Sequence, residues 1–277
     1  MATRLRPPAA TLFGRRRTVT MTHRRSHATT FSSVDPAEVS HFDGLASDWW
    51  DPHGSSRLLH LMNPLRHDFI RACVGDAVPP AGLDYLDMGC GGGIFAETAA
   101  RLPTTRHVTA MDPTPSVVAA AREHARKDPS LRGRLDYRVG SVVEAVQGMD
   151  RGSDGGGGYD VVTLFEVLEH VDQPASFLHQ LRPLVRPGGW LVVSTMARTW
   201  TSWLTTKLAA EYVLRVVPVG THDWSRYINH DELSRFLLGA GWEDPRVMGV
   251  AYLPVIGWRE LQGGQSLGNY FLAVRRR

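Results

Sequence analysis

Apolar positions along this chain follow two periods. From residue 83 onward, short near-continuous apolar runs alternate with stretches whose apolar residues recur at helical spacing. The runs LDYLDMG (83–89), HVTAMD (107–112), LDYRVGS (135–141), YDVVTLF (159–165) and PGGWLVVSTM (187–196, opening on a turn) predict five strands. IFAETAARL, PSVVAAAREHARK and PASFLHQLRPLV predict the helices between them. Near the C-terminus, HDELSRFLLGAG reads as a helix with Asp231 as its cap, and PRVMGVAYLP and LGNYFLAVRRR are strand-like. Strands that are apolar throughout and separated by helices are buried on both faces. The pattern therefore predicts an α/β fold, a doubly wound and mostly parallel seven-stranded sheet. Ahead of it, RLLHLMNPLRHDFIRACVG has helical spacing, with Pro64 near its middle or at a break. Before that, DPAEVSHFDGLASDWWDPHG reads as an aromatic-bearing helix and a turn.

Two segments break the alternation. GMDRGSDGGGG (148–158) is low complexity and reads as a surface loop. TWTSWLTTKLAAEYVLRVVP (199–218) interrupts the sheet pattern after the fifth strand, inside an insertion spanning 197–230. Its Trp200, Trp203, Leu204, Leu208 and Tyr212, flanked by Lys207 and Arg215, suit an interfacial helix or a lid over an apolar ligand; a helix packed on the protein's own core has the same face.

Charge changes the picture at one end only. Residues 1–34 hold seven arginines and no acidic residue. The whole chain carries +3, so the remainder carries −4 and gives no reason to expect nucleic acid as a partner. An acid-free leader rich in Arg, Ser and Thr has the composition of a mitochondrial transit peptide, and 35–277 then form a single domain. A disordered basic tail is the plainer reading. No apolar stretch reaches the ~20 residues of a membrane-spanning helix. Cys73 and Cys90 have neither metal spacing nor a disulfide framework, which suits a reducing compartment.

The densest chemical signal is LDMGCGGG. A strand delivers Asp87, then Gly89, Gly91, Gly92 and Gly93, and a helix follows. Glycines there permit a tight turn and let a ligand approach bare backbone at a helix N-terminus. Counting from Gly89, Ile94 stands where the dinucleotide fingerprint needs Gly or Ala, so that pattern fails. The second strand ends in Asp112, about twenty residues later, where a carboxylate can accept both ribose hydroxyls of an adenosine. NAD presents the same ribose, so Asp112 identifies adenosine and leaves the cofactor open.

The fourth strand runs into Phe165, Glu166, Glu169 and His170. Positions 166, 169 and 170 stand in i, i+3, i+4 relation, so on a helix they share one face. Two carboxylates and an imidazole on one face form a candidate divalent-ion site. Mg²⁺ accepts carboxylates, while the imidazole suits Zn²⁺, Mn²⁺ or Fe²⁺ better. An ordinary structural helix start is the alternative.

The D-x-G-x-G-x-G turn resembles the first motif of class I S-adenosylmethionine-dependent methyltransferases. The blocks FDGLASDWWDPHG, LHLMNPLRHDFI, LDMGCGGGIFAE, YDVVTLFEVLEHV, LVRPGGWLVVSTMART, KLAAEYVLRVVPVGTHDW and GNYFLAV occur in the order seen in the ubiquinone-biosynthesis O-methyltransferases. The resemblance covers residues 41–275. It implies a Rossmann-like class I methyltransferase fold. It also implies methylation of catechol-type hydroxyls on polyprenylated benzoate and quinol intermediates. In the eukaryotic members it implies a place on the matrix face of the mitochondrial inner membrane, within an assembly of pathway enzymes. It puts S-adenosylmethionine at Arg66, Gly89, Asp112 and Phe165, and makes Glu166, Glu169 and His170 the metal ligands. Arg66 would pair with the methionine carboxylate and Phe165 would cover the cofactor's edge. A surface helix arginine and a plain core phenylalanine are the bland alternatives.

A phenol has a pKa of about 10, so an ion on the catechol oxygens would supply the oxyanion that a sulfonium methyl requires. No general base stands out; His222 of GTHDW is a candidate. Rival readings are a methyltransferase of another small phenolic molecule, an NAD-dependent oxidoreductase, and a noncatalytic subunit of the pathway assembly.

Overall fold

The computed structural model describes residues 49–51, 53–54, 56–75, 77–149, 157–197, 227–253 and 255–277. The leader, most of the glycine-rich run and most of the 197–230 insertion, His222 included, lie outside the described residues. Eight strands form one sheet: β1 Leu83–Met88, β2 Thr105–Asp112, β3 Leu135–Val139, β4 Tyr159–Phe165, β5 Val185–Met196, β6 Trp242–Leu253, β7 Gly257–Leu261 and β8 Asn269–Arg276. Their order is β3-β2-β1-β4-β5-β8-β6-β7. The first five are parallel, with Asp87 opposite Thr163 and Phe165 opposite Ser194. β8 is antiparallel to β5 and to β6.

The expected seven strands are thus eight. The extra one, β7, reads GWREL, with Trp258 its one buried residue. An edge strand that buries one side chain leaves no apolar run to find. The short helix α4 (Val142–Gln147) also had no helical period to show; its signal is S-x-x-E, and Ser141 and Glu144 do form a capping box.

α1 (Arg57–Val74) runs unbroken through Pro64, losing one backbone hydrogen bond but keeping Met62, Phe69, Ile70 and Cys73 in the core. α2 (Ile94–Arg101) follows β1, and α3 (Pro115–Ala125) follows β2. These three helices share one core layer with the sheet, built on Phe69, Phe95, Ala99, Val118, Val161 and Phe271. α4 packs on α5 (Pro174–Leu181), and α6 (His230–Gly239) packs on β6 and β8. The cap of α6 is Asn229 rather than Asp231. Glu232 accepts the Asn229 N–H at 3.2 Å, while Asp231 lies inside the first turn and pairs with Arg235.

The chain winds β1 to β3 one way and β4 to β5 the other. The switch falls between β1 and β4, where the parallel strands leave a crevice at their carboxyl ends. Every residue singled out at the end of β1, β2 or β4 is delivered to that end.

Candidate active site

The glycine turn is stitched to its neighbours. Gly89 and Cys90 donate to the Met111 carbonyl at 2.7 and 3.0 Å, and Gly91 donates to Asp112 Oδ2 at 3.0 Å. Asp112 Oδ1 accepts the Thr114 N–H at 2.9 Å. Burial raises the pKa of Asp112, and these backbone donors oppose the rise. The acid at the end of β2 therefore holds the glycine turn against the start of α3.

The bare faces of the glycines meet protein. Gly89, at φ +73°, would put a Cβ 2.5 Å from Val167 Cγ2, and a side chain on Gly93, at φ +89°, would strike the Tyr137 hydroxyl. Side chains on Gly91 or Gly92 would strike the Trp49 ring. Trp50 completes the clamp: its indole N–H donates to the Gly92 carbonyl at 2.8 Å, and its ring stacks on His124 at 3.5 Å. The WWD sequence carries no chemical motif, so only tertiary contact reveals that this pair closes over the turn.

At the switch point lies a buried ionic cluster. Arg66, on α1, is only 4% exposed. Its guanidinium lies 4.6 Å over the Phe165 ring, with Nη2 3.8 Å from Glu166 Oε1. Burial pulls its pKa down; Glu166, Asp87 and Glu169 pull it back up. Its Nε is buried and unpartnered. Phe165 packs edge-on against Phe95 at 4.8 Å. Asp87 is buried and accepts from Thr163 Oγ1 at 2.7 Å. Burial pushes its pKa to about 6, against the Thr163 hydrogen bond and the Arg66 charge.

The glutamates do not share an α-helix. Glu166 has φ +55°, an uncommon conformation for a residue with a Cβ, and turns the chain out of β4. A 3-10 turn, Leu168–His170, follows. The end of β5 serves both carboxylates: Ser194 Oγ donates to Glu166 Oε1 at 2.7 Å, and Thr195 Oγ1 to Glu169 Oε2 at 3.0 Å. Burial first, then the charge of Glu166, raises the Glu169 carboxyl well above the usual carboxylate range. His170 is half-buried in the same turn. Among the described residues no three His, Cys, Asp or Glu side chains form a group able to hold a metal ion, so His170 does not join the two glutamates in one. Arg66, Phe165, Glu166 and Glu169 thus come together with Asp87, which the motif contained but no role had been given. Gly89 and Asp112 meet at the adjoining turn.

Comparison with known proteins gives the chain's family and fold. A family model described as "Methyltransferase domain" matches residues 58–245. A Schizosaccharomyces pombe protein named "Ubiquinone biosynthesis O-methyltransferase, mitochondrial" is 45% identical over 249 residues, 88% of this chain and 87% of its own. The Saccharomyces cerevisiae protein of that name is 35% identical over 86% of this chain and 87% of its own. A Caulobacter protein named "Ubiquinone biosynthesis O-methyltransferase" is 39% identical, over 88% and 95%. Among solved structures, magnesium protoporphyrin IX methyltransferase from Synechocystis with bound SAH superposes with a TM-score of 0.60 at 15% identity, covering 87% of this chain and 99% of its own. The plantazolicin methyltransferase, also in complex with SAH, gives 0.54 at 16%, over 87% and 97%. At such identities the likeness is one of fold.

Proposed function

This chain belongs to the ubiquinone biosynthesis O-methyltransferases, and on that premise we propose that it moves the methyl group of S-adenosylmethionine to a catechol-type hydroxyl of a polyprenylated dihydroxybenzoate or demethylubiquinol, with divalent-metal assistance. The observation that carries the reading is the buried Arg66–Phe165–Glu166–Glu169 cluster beside the glycine turn. A guanidinium 3.8 Å from Glu166, with Glu169 close by, supports reading Arg66 as the partner of the cofactor's carboxylate and the two glutamates as the ion's ligands.

The residues present fit the cofactor. Arg66 pairs with the methionine carboxylate through a guanidinium whose Nε has no protein partner. Asp112 accepts the ribose hydroxyls. Phe165, already under the guanidinium, covers the cofactor's edge. The methyl transfer is an in-line displacement, so the work of these residues is alignment. Bound there, S-adenosylmethionine would supply an electrophilic methyl group, and its transfer to the oxygen would release the thioether and send the phenolic proton to solvent or a base.

The carboxylate pair fits a divalent cation in its donor chemistry. Glu169 is held toward its protonated form by burial and by Glu166, and a dication in place of that proton relieves both effects. Glu166 and Glu169 would hold the ion, without His170 as a third protein ligand in the geometry described. Bound there, the ion would lower the catechol pKa and fix its oxygens.

A polyprenylated substrate also argues for peripheral attachment to a membrane. Together with the mitochondrial relatives and the acid-free leader, it supports a place on the matrix face of the inner membrane among other enzymes of the pathway. No helix among the described residues is long and apolar enough to cross a membrane. The test is transfer of labelled methyl from S-adenosylmethionine to a short-tailed dihydroxybenzoate, with and without Mg²⁺. Metal-stimulated formation of a mono-methyl ether is expected. Absence of transfer under all conditions refutes the reaction, and full activity in chelator refutes the metal.

A further inference from the structure

The β6–β7 hairpin ends in an apolar tip. Ile256 N–H closes the turn on the Leu253 carbonyl at 3.1 Å. Val255 is fully exposed, Ile256 is 57% exposed and Leu253 37%. Val255 also has φ +73°. A β-branched residue there costs roughly 1 kcal/mol or more relative to an ordinary conformation. The chain thus shows an apolar side chain to water where glycine would be the unstrained choice.

The register says which way this tip points. β6 and β5 are both antiparallel to β8, so they run in the same direction. Val250 pairs with Asn269, and Asn269 with Met196, the last residue of β5. Val250 is therefore level with the carboxyl end of the sheet. Three more residues at about 3.4 Å each carry the tip roughly 10 Å past it. Leu267, half-exposed, lies at the same end, next to Gly268, whose carbonyl accepts the Ala197 N–H at 2.9 Å. Behind the tip, Tyr252 and Trp258 face each other across the hairpin with rings 5.6 Å apart. The Trp258 indole donates to the Leu58 carbonyl at 3.0 Å, tying the hairpin to α1. Arg259 and Arg57 are exposed on the two elements so joined.

We propose that this tip is a membrane foot: Leu253, Val255 and Ile256 enter the interfacial layer of an anionic bilayer and hold the carboxyl end of the sheet toward the lipid. The occupant follows from size and charge. A stable protein interface needs about 800 Å² from each partner, whereas three side chains on a turn offer at most a few hundred. Shallow insertion needs no more, and Arg259 and Arg57 match anionic headgroups. The proposal rests on the reading of a polyprenylated substrate, whose tail lies in the bilayer and whose ring must reach the site at this end.

The full chain is sedimented with vesicles of phosphatidylcholine and cardiolipin, and with phosphatidylcholine alone. Binding stronger on the anionic vesicles is expected, and a double variant, Val255→Asp with Ile256→Asp, should bind them about tenfold more weakly. An Ile256→Trp variant should be quenched by lipids brominated on the acyl chains. Turnover of a soluble short-tailed substrate should be unchanged in both variants. Equal binding by wild type and double variant, or no binding by wild type, overturns the proposal. If the double variant loses short-tailed turnover, the quenching decides alone, and an unquenched introduced indole overturns the idea. Wild-type failure on the short-tailed substrate counts instead against the proposed reaction and leaves the vesicle result standing. Concentration-dependent dimers abolished by the double variant, with no vesicle binding, would assign the tip to a second copy.

Discussion

Replacing Asp87 by Asn should make the protein more stable, by an amount that depends on pH. Asp87 is buried at the end of β1, and burial lifts its pKa from 3.8 to about 6. A raised carboxylate destabilises the fold wherever the unfolded chain has released a proton that the folded chain would keep. The cost is absent below pH 3.8, grows between 3.8 and about 6, and is complete above that. Two pH units at about 1.4 kcal/mol each give roughly 3 kcal/mol at pH 7.5 and about 1 kcal/mol at pH 4.5. The Thr163 hydrogen bond and the Arg66 charge already act within that shift, because both favour the ionised form. An amide oxygen can keep the Thr163 bond, so Asp87→Asn removes the charge and little else. Urea unfolding of the cofactor-free protein at both pH values measures the difference, which in heat corresponds to a rise of about 6 °C or more at pH 7.5. A variant less stable than wild type at pH 7.5, or a gain independent of pH, would refute the account in which desolvation outweighs Arg66.

Arg66→Lys keeps the charge but loses the planar stack on Phe165 and the fork for a carboxylate. We expect the cofactor KM to rise about tenfold with kcat much less affected, read from initial rates. Glu169→Gln should keep cofactor affinity within about twofold by calorimetry and should lose roughly tenfold or more of the metal-stimulated kcat. Because that carboxyl is already pushed toward its neutral form, the same variant should be no less stable than wild type at pH 8. Gly93→Ala combines φ +89° with a collision against Tyr137 and should lower stability by about 2–4 kcal/mol in urea.

The sheet was legible because its central strands β1, β4 and β5 are largely buried on both faces and the spacing of the apolar runs leaves room for helices between them. β7 was not, because an edge strand with one buried residue resembles a loop. Arg66, Glu166 and Glu169 were legible as members of a pattern, yet the helical face proposed for the last two was not their geometry. The left-handed turn at Glu166 and the hydroxyls of Ser194 and Thr195 bring them together instead. Backbone strain and partners from a distant strand leave no trace in local spacing. Trp49 and Trp50 were legible only as part of an aromatic-bearing segment, because their contact with the glycine turn joins segments about forty residues apart.

That contact makes residues 49 and 92 a single unit of variation. No side chain fits on Gly92 while an indole occupies position 49, and an indole at 49 has its place only beside a bare backbone. Among related sequences, an alanine in this position of the turn should therefore arrive together with a smaller residue at 49. A change at either position alone should be rare, since each by itself leaves a clash or a hole over the glycine turn.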